Sequence, residues 1–263
     1  MSRLGIIDTH AHLDDNRFDA DRDQVMARLA VDMEAVINQG TNGATNAASI
    51  ALAEQYPFVY AAVGWHPEDL AGIKDDRYLD ELAQLAQHPK VVALGEIGLD
   101  YYWKENEPKE VQWRRLQQQV DLAKQLHLPV VIHDREAHGD SLRFFLTEGV
   151  GVDCVFHCFS GSLEMAKELW RRGIYTGFGG TSTFKNSKKT QAVLAACPAE
   201  LLLLETDCPY LAPEPFRGRR NDPSLTEYVA KNAALVRQTT FEDLVAQSTK
   251  NARTLFKKLG RSK

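Results

Sequence analysis

The stretch IIDTHAHLDD, residues 6–15, joins an apolar run to two histidines that are separated by a single residue. Successive side chains of a β-strand point to opposite faces, so His10 and His12 would point to the same side of a strand. Two imidazoles that converge at a strand end can bind a divalent metal. The alternative is a pair of ordinary surface histidines beyond the strand, and this short pattern alone does not separate the two interpretations.

The composition is that of an ordinary globular enzyme. The chain has 263 residues, 44% hydrophobic and 25% charged, and this length accommodates one domain spanning residues 1–263. We find no apolar run as long as a membrane span, no signal peptide, and no zinc-ribbon or dense disulfide spacing among the four cysteines. We therefore expect a cytoplasmic location, reduced thiols, no membrane association and no stable protein partner. The net charge of −5 argues against a broad DNA-coating surface but allows a local basic patch.

Short apolar runs alternate with longer amphipathic segments along the chain. Several runs are almost continuously apolar, as strands buried on both faces should be. Helical apolar spacing occurs at residues 22–31, 79–87, 111–126 and 163–172, and again at 225–237 and 241–258. This alternation predicts an α/β fold, a TIM-like (β/α)8 barrel, with a doubly wound open sheet as the alternative. The strand-like runs are LGIID (4–8), EAVINQG (34–40), FVYAAVG (58–64), VVALGEI (91–97), PVVIH (129–133), VDCVFH (152–157), IYTGFG (174–179) and LLLLETD (201–207).

Histidines and carboxylates stand at the ends of these runs. Barrel enzymes place their chemistry at the carboxyl ends of the strands, so we expect these side chains to converge on one mouth. Imidazoles and carboxylates without thiolates suit Zn or Mn, and Mg less naturally. The set exceeds the needs of one catalytic zinc, so we expect two divalent metal cations with Glu96 as the bridging ligand. The expected metal ligands are His10, His12, Glu96, His133, His157 and Asp207.

A pair of metal ions suits the hydrolysis of phosphoesters and of some amides. Asp207 could bind one ion and also orient or deprotonate the attacking water. The expected catalytic residues are therefore Asp207 and Glu96.

Other residues after the strands are expected to contact the substrate. His66 either touches substrate or caps the turn before Pro67, and Arg135 either meets a phosphate or forms a surface ion pair. Basic clusters follow the seventh and eighth runs, in loops that a barrel would place at the mouth, and positive charge there favours an anionic substrate. The expected substrate-binding residues are His66, Arg135, Lys185, Arg217 and Arg219.

Two further features leave alternatives open. Glu205 shares strand parity with Asp207, and we expect it either to support a ligand histidine or to form a salt bridge elsewhere. Aromatic residues after the third and fourth runs could stack on nucleobases or pack beneath loops. These are Trp65, Tyr101, Tyr102 and Trp103.

Seven motifs, in order along nearly the whole chain, carry a resemblance to a known family. They are IDTHAHLD (7–14), GWHP (64–67), GEIGLDYY (95–102), IHDRE (132–136), FHCFSG (156–161), LETDCPYLAP (204–213) and RGRRNDP (217–223). The chain resembles the TatD-type metal-dependent deoxyribonucleases, within the amidohydrolase-like metal barrels. Two features depart from the family pattern, namely Cys208 after Asp207 and the segment SLTEYV after RGRRNDP.

The resemblance implies a TIM-like barrel that holds divalent metals. It implies one metal site at His10, His12, Glu96 and Asp207, and a second at Glu96, His133 and His157. It also implies hydrolytic or 3′-to-5′ exonuclease activity on DNA, with magnesium or another divalent ion.

We therefore expect a divalent-metal-dependent hydrolase, with Mg, Mn or Zn as the cation, that cleaves DNA phosphodiester bonds. The first alternative is a two-metal hydrolase of a small ester, amide or phosphoester, because the same ions serve those reactions. The second alternative is a non-catalytic binding barrel, which loss of ligands would indicate. None of the expected ligands is missing from the sequence.

Overall fold

The apolar runs form eight parallel β-strands in a computed structural model that describes residues 3–260. The strands pair in chain order, each with the next, and nearly all of their residues are buried. Helices or helical turns separate the strands, as parallel pairing requires. The strands are β1 Ile7–Ala11, β2 Ala35–Gln39, β3 Val59–Val63, β4 Val91–Asp100, β5 Val130–Arg135, β6 Cys154–Phe156, β7 Tyr175–Phe178 and β8 Leu202–Leu204.

The sheet closes between β1 and the segment that follows β8. The backbone N–H of Asp207 donates to the carbonyl of His10 over 2.8 Å, and the N–H of His12 donates to the carbonyl of Cys208 over 2.8 Å. Closure pairs the two edges that an open sheet would leave exposed. The predicted (β/α)8 barrel is therefore confirmed over the doubly wound alternative.

The helices surround this barrel. The predicted segments at 22–31, 79–87, 111–126 and 163–172 are confirmed with small shifts at their ends, as are both C-terminal segments. The predicted segments do not include α5 or α7, which bury three and two residues respectively. The helices are α1 Arg22–Asp32, α2 Gly43–Gln55, α3 Arg77–Leu85, α4 Lys109–Leu126, α5 His138–Leu146, α6 Leu163–Trp170, α7 Lys188–Ala196, α8 Thr226–Arg237 and α9 Phe241–Leu255. Between residues 3 and 260, no helix has the length and apolar character needed to cross a membrane.

Apolar side chains fill the amino-terminal half of the barrel interior. Ile7, Ile37 and Leu203 belong to a buried cluster that also contains Leu255 and Phe256, from the end of α9. The last helix thus plugs the amino-terminal end of the barrel. The opposite end, where the strands terminate, remains open for polar side chains.

Candidate metal centre

The first strand delivers two histidines to the open end of the barrel. His10 lies in β1 and His12 follows it, with their side chains on the same side. Oδ1 of the buried Asp8 carboxyl group accepts hydrogen bonds from the backbone N–H of His10 at 3.1 Å and of Thr206 at 3.0 Å. Asp8 therefore fixes the end of β1 against the segment that carries Asp207.

Glu96, on β4, lies at the centre of the imidazole group and is 3% exposed. Its Oε1 lies 2.8 Å from Nδ1 of His133 and 2.8 Å from Nε2 of His157. Its Oε2 lies 3.3 Å from Nε2 of His10 and 3.6 Å from Nε2 of His12. The two carboxylate oxygens thus face different histidines, and Oε1 also lies 3.4 Å from Nε2 of His66.

Asp207 completes the group from the segment after β8. Its Oδ1 lies 3.5 Å from Nε2 of His12 and 3.7 Å from Nε2 of His10. Its backbone has φ of +57°, in the left-handed region that aspartate tolerates better than most residues. The structure therefore brings all the sequence-predicted metal ligands together in one cluster.

This donor set fits divalent cations. His10, His12 and Glu96 offer ligand atoms within 4.8 Å of one another, and so do His66, Glu96 and His133. Nε2 of His10 and Nε2 of His12 lie only 3.3 Å apart, where two unprotonated imidazole nitrogens would repel without a shared proton or cation. Imidazole nitrogen with carboxylate oxygen is a ligand combination typical of zinc and other transition metals.

The electrostatics of the cluster keep its carboxylates ionised. Burial alone would raise the pKa of Glu96, but the charges of His157, His66 and His10 outweigh burial and hold that pKa well below its usual range. Burial would lower the pKa of His12, but the hydrogen bond with Asp207 and the charge of Glu96 raise it to about 9. Cations entering the cluster would therefore displace protons from imidazoles.

Asp100 is a site residue that the sequence interpretation missed. Its buried Oδ2 lies 2.9 Å from Nε2 of His133. Carboxylates accept hydrogen bonds, so without a cation both ring nitrogens of His133 donate, Nε2 to Asp100 and Nδ1 to Glu96 at 2.8 Å. Burial would lower the pKa of His133, but these bonds outweigh burial and raise it to about 9. A cation held at Nδ1 would replace the proton there, while Asp100 keeps the proton on Nε2 and orients the ring.

Strand parity could have found this residue, because positions 96 and 100 share one face if β4 continues through them. The predicted run ends at Ile97, before Gly98. Instead β4 extends to Asp100, and Gly98, at φ +154°, lies so close to the backbone of His133 that a Cβ would overlap its carbonyl oxygen.

Glu205 lies behind the cluster and is fully buried. Its Oε1 accepts a hydrogen bond from the backbone N–H of Cys158 at 2.5 Å and lies 3.6 Å from Nδ1 of His157. Of the two sequence alternatives, this position matches support of a ligand histidine. A Cβ on Gly177 would overlap Oε2 of Glu205, so the carboxylate occupies space that only a glycine leaves open.

His66 has the capping role, one of the two that the sequence left as alternatives, and its contact with substrate stays a prediction. Its Nδ1 accepts the backbone N–H of Glu68 at 3.2 Å and caps the short 3-10 turn Pro67–Gly72. Its Nε2 lies 3.4 Å from Oε1 of Glu96, in the cluster. Because Nδ1 accepts, the neutral ring carries its proton on Nε2.

A cleft of about 1000 Å³ opens over the cluster. Its lining is acidic beyond the expected ligands, and within the described residues Arg135 is its one lysine or arginine. Lys185, Arg217 and Arg219 do not line this cleft. The guanidinium of Arg217 instead lies 4.2 Å above the ring of Phe184, so any contact of these residues with substrate stays a prediction. The additional acidic residues are Asp14, Asp15, Glu68, Asp69 and Asp134.

A (β/α)8 barrel with histidines and carboxylates gathered where its strands end defines the class of metal-dependent barrel hydrolases. Comparison with known proteins specifies the family, because the family model described as TatD related DNase matches residues 7–257. The chain belongs to the TatD family.

Individual relatives match over almost their whole length. The chain is 41% identical to YabD of Bacillus subtilis, an uncharacterized metal-dependent hydrolase, over 96% of this chain and 99% of YabD. It is 33% identical to the 3′-5′ ssDNA/RNA exonuclease TatD of Salmonella typhimurium, over 95% of this chain and 98% of that protein. The crystal structure of YjjV, a TatD homolog from Escherichia coli, matches with a TM-score of 0.88 and 34% identity, over 97% of this chain and 98% of that one.

Proposed function

We propose that this protein hydrolyses phosphodiester bonds of single-stranded DNA from the 3′ end, with the help of two divalent cations, Mg, Mn or Zn. The observation that carries the proposal is the placement of the Glu96 carboxylate: Oε1 lies 2.8 Å from nitrogens of His133 and His157, and Oε2 lies 3.3–3.6 Å from those of His10 and His12. The name of the Salmonella relative supports the choice of a 3′-5′ exonuclease on single strands.

Two groups of residues would hold the cations. His10, His12 and Asp207 would serve one ion and His133 and His157 the other. Glu96, which lies between the two groups, would be shared by both ions. Bound there, the cations would supply Lewis-acid activation of water and neutralise charge on the phosphate.

Asp207 is the proposed general base and orienting group for the attacking water. Burial would raise the pKa of Asp207, but the hydrogen bond with His12 and the charges of His157 and His10 lower it. The carboxylate is therefore ionised at neutral pH, as a proton acceptor must be.

His66 is the proposed donor to the phosphate. Its capped Nδ1 leaves a proton on Nε2, which points into the cluster and cannot act as a metal ligand while it carries that proton. A donor at this place could bind a non-bridging phosphoryl oxygen as negative charge develops there.

The acidic lining of the cleft adds a requirement to this proposal. A nucleic acid backbone is repelled by carboxylates, so the strand would approach only when cations offset the charge of the lining. Binding of DNA, and not only its cleavage, should therefore depend on divalent metal.

The test uses single-stranded oligonucleotides labelled at either the 5′ or the 3′ end, with metal content measured by elemental analysis. We expect stepwise shortening of the 5′-labelled strand, and release of labelled mononucleotide from the 3′-labelled strand. Excess EDTA and the variant Glu96→Gln should each abolish this. Unchanged cleavage in EDTA would refute the metal chemistry. Turnover of a small ester or phosphoester without DNA cleavage would instead favour the small-substrate alternative.

A further inference from the structure

Exposed aromatic side chains are concentrated at the mouth of the barrel. Among residues 3–260, the exposed Phe, Trp and Tyr residues are Tyr102, Trp103 and Tyr210, whose exposed fractions are 51%, 45% and 45%. Trp103 and Tyr210 line the cleft above the histidine cluster, and Tyr102 adjoins Trp103. An exposed indole at a cleft edge is costly to hydrate, so this placement points to a ligand with an apolar planar surface.

Tyr102, Trp103 and Arg135 form a structured unit, called here the aromatic lip. The rings of Tyr102 and Trp103 pack edge to face, with centroids 4.8 Å apart. The guanidinium of Arg135 lies 4.0 Å above the ring of Tyr102 and 5.4 Å from that of Trp103. Oδ1 of Asp100 accepts the backbone N–H of Tyr102 at 2.9 Å, which ties the lip to the carboxylate that contacts His133.

The charge of Arg135 is available to a ligand. Its guanidinium makes no ion pair and no side-chain hydrogen bond with any of residues 3–260. The cation beside Tyr210, in contrast, already has an ionic partner. Arg17 lies 4.1 Å above its ring, but Arg17 is bonded to Asp15 at 3.0 Å, so that positive charge is already neutralised. An anionic group should therefore bind on the side of Arg135.

We propose that the aromatic lip is a nucleotide subsite, in which an unpaired base stacks on Trp103 and a phosphate pairs with Arg135. This inference rests on the proposed function and adds how the strand is recognised. Stacking on an aromatic ring is available to every base but requires that the base be free of a complementary strand. Arg135, oriented by the ring of Tyr102, presents its donors to phosphate oxygens. The lip would thus select single strands without reading their sequence.

The test compares an octamer of thymidylate with an octamer of the same backbone in which every base is replaced by an abasic residue. The variants are Trp103→Ala and Trp103→Phe. Leu235→Ala is the control, because Leu235 is 78% exposed on α8 and does not line the cleft. We expect Trp103→Ala to raise KM for the thymidylate octamer about tenfold, in the range found for loss of one base stack. Trp103→Phe should recover most of this loss, and the abasic octamer should be cleaved equally by all variants.

Two results would overturn the subsite. One is an unchanged KM for the thymidylate octamer in Trp103→Ala, and the other is an equal loss on the abasic octamer. If the wild-type protein cleaves neither octamer, the proposed function fails, and fluorescence anisotropy of the labelled octamers in the presence of Mn²⁺ still tests the lip. Weaker binding of the thymidylate octamer alone by Trp103→Ala would then support the subsite, and equal binding would refute it.

Discussion

Asp100→Asn should weaken metal binding without removing any residue of the cation cluster. Oδ1 of Asp100 accepts two backbone N–H groups, and Oδ2 faces Nε2 of His133 at 2.9 Å. Asparagine keeps the first set of bonds but places an amide N–H₂ opposite the ring. Two donors then face each other, so the proton on Nε2 is disfavoured and the ring retains the proton on Nδ1, the atom that faces Glu96. A ring protonated on Nδ1 cannot bind a cation from that side.

The magnitude follows from the bond that is lost. A hydrogen bond to a charged group contributes about 1.5–3 kcal/mol, which corresponds to about 10- to 150-fold in affinity. Changes of outer partners of metal-bound histidines typically cost about 10- to 100-fold. We therefore expect Mn²⁺ or Zn²⁺ to bind about 10- to 100-fold more weakly to Asp100→Asn, with a parallel loss of hydrolysis at low metal that excess metal restores.

The assay is competition for metal against a chromophoric chelator, together with initial rates over a metal titration. Asp134→Asn is the matched control. Asp134 also bonds a histidine, His138, at 2.8 Å, and it lines the cleft outside the expected ligand set. Equal metal affinity in Asp100→Asn and wild type would refute the reasoning. So would an equal loss in Asp134→Asn, because that result would show a general effect of charge at the mouth.

Three further changes test other parts of the structure. His66→Ala should lower kcat about 100-fold, because loss of one hydrogen-bond donor to a developing oxyanion has an effect of that size. The metal content, measured by elemental analysis, should not change. Loss of metal from this variant would show that His66 is a metal ligand instead. Gly177→Ala should force Glu205 to move and lower the free energy of unfolding, measured in urea, by about 1–3 kcal/mol. The control is Gly139→Ala, where a Cβ meets nothing within 4 Å, and this change should leave the stability unchanged or raise it. Equal stabilities of the two variants would contradict the reasoning. Burial raises the pKa of Asp8 to about 8, so the folded protein keeps a proton that the unfolded chain loses near pH 4. The free energy of unfolding should therefore fall as the pH rises from about 4 to 8. Asp8→Asn should therefore lose less stability than wild type in urea unfolding between pH 5 and 8, and parallel pH profiles would refute the assignment.

The ligand cluster could be anticipated from the sequence because a parallel barrel constrains where strand ends lie. Once the apolar runs are taken as neighbouring strands, His10, His133 and His157 must emerge on one rim, whatever the loops do. The position of Glu96 among the histidines follows in the same way, from a strand in the middle of the order. These inferences need only the alternation of side chains and the order of strands.

The remaining features depend on details that these patterns do not contain. Asp100 was missed because Gly98 reads as the end of a strand, when it is a point of close approach between β4 and β5. Arg217 and Arg219 follow the last strand, but the path of that loop is set by local contacts, such as the packing of Arg217 on Phe184. The acidic character of the cleft lining likewise becomes visible only when loops from several strands are placed together.

One of the two bonds that close the barrel joins the backbones of two residues proposed to hold metal. His10 and Asp207 are linked through the main chain, although 196 positions separate them. During synthesis the first histidines leave the ribosome long before their partner aspartate exists. The complete set of proposed ligands is therefore unavailable to a nascent chain or to one truncated before Asp207, and on this proposal full metal binding would report that the final strand has docked onto the first.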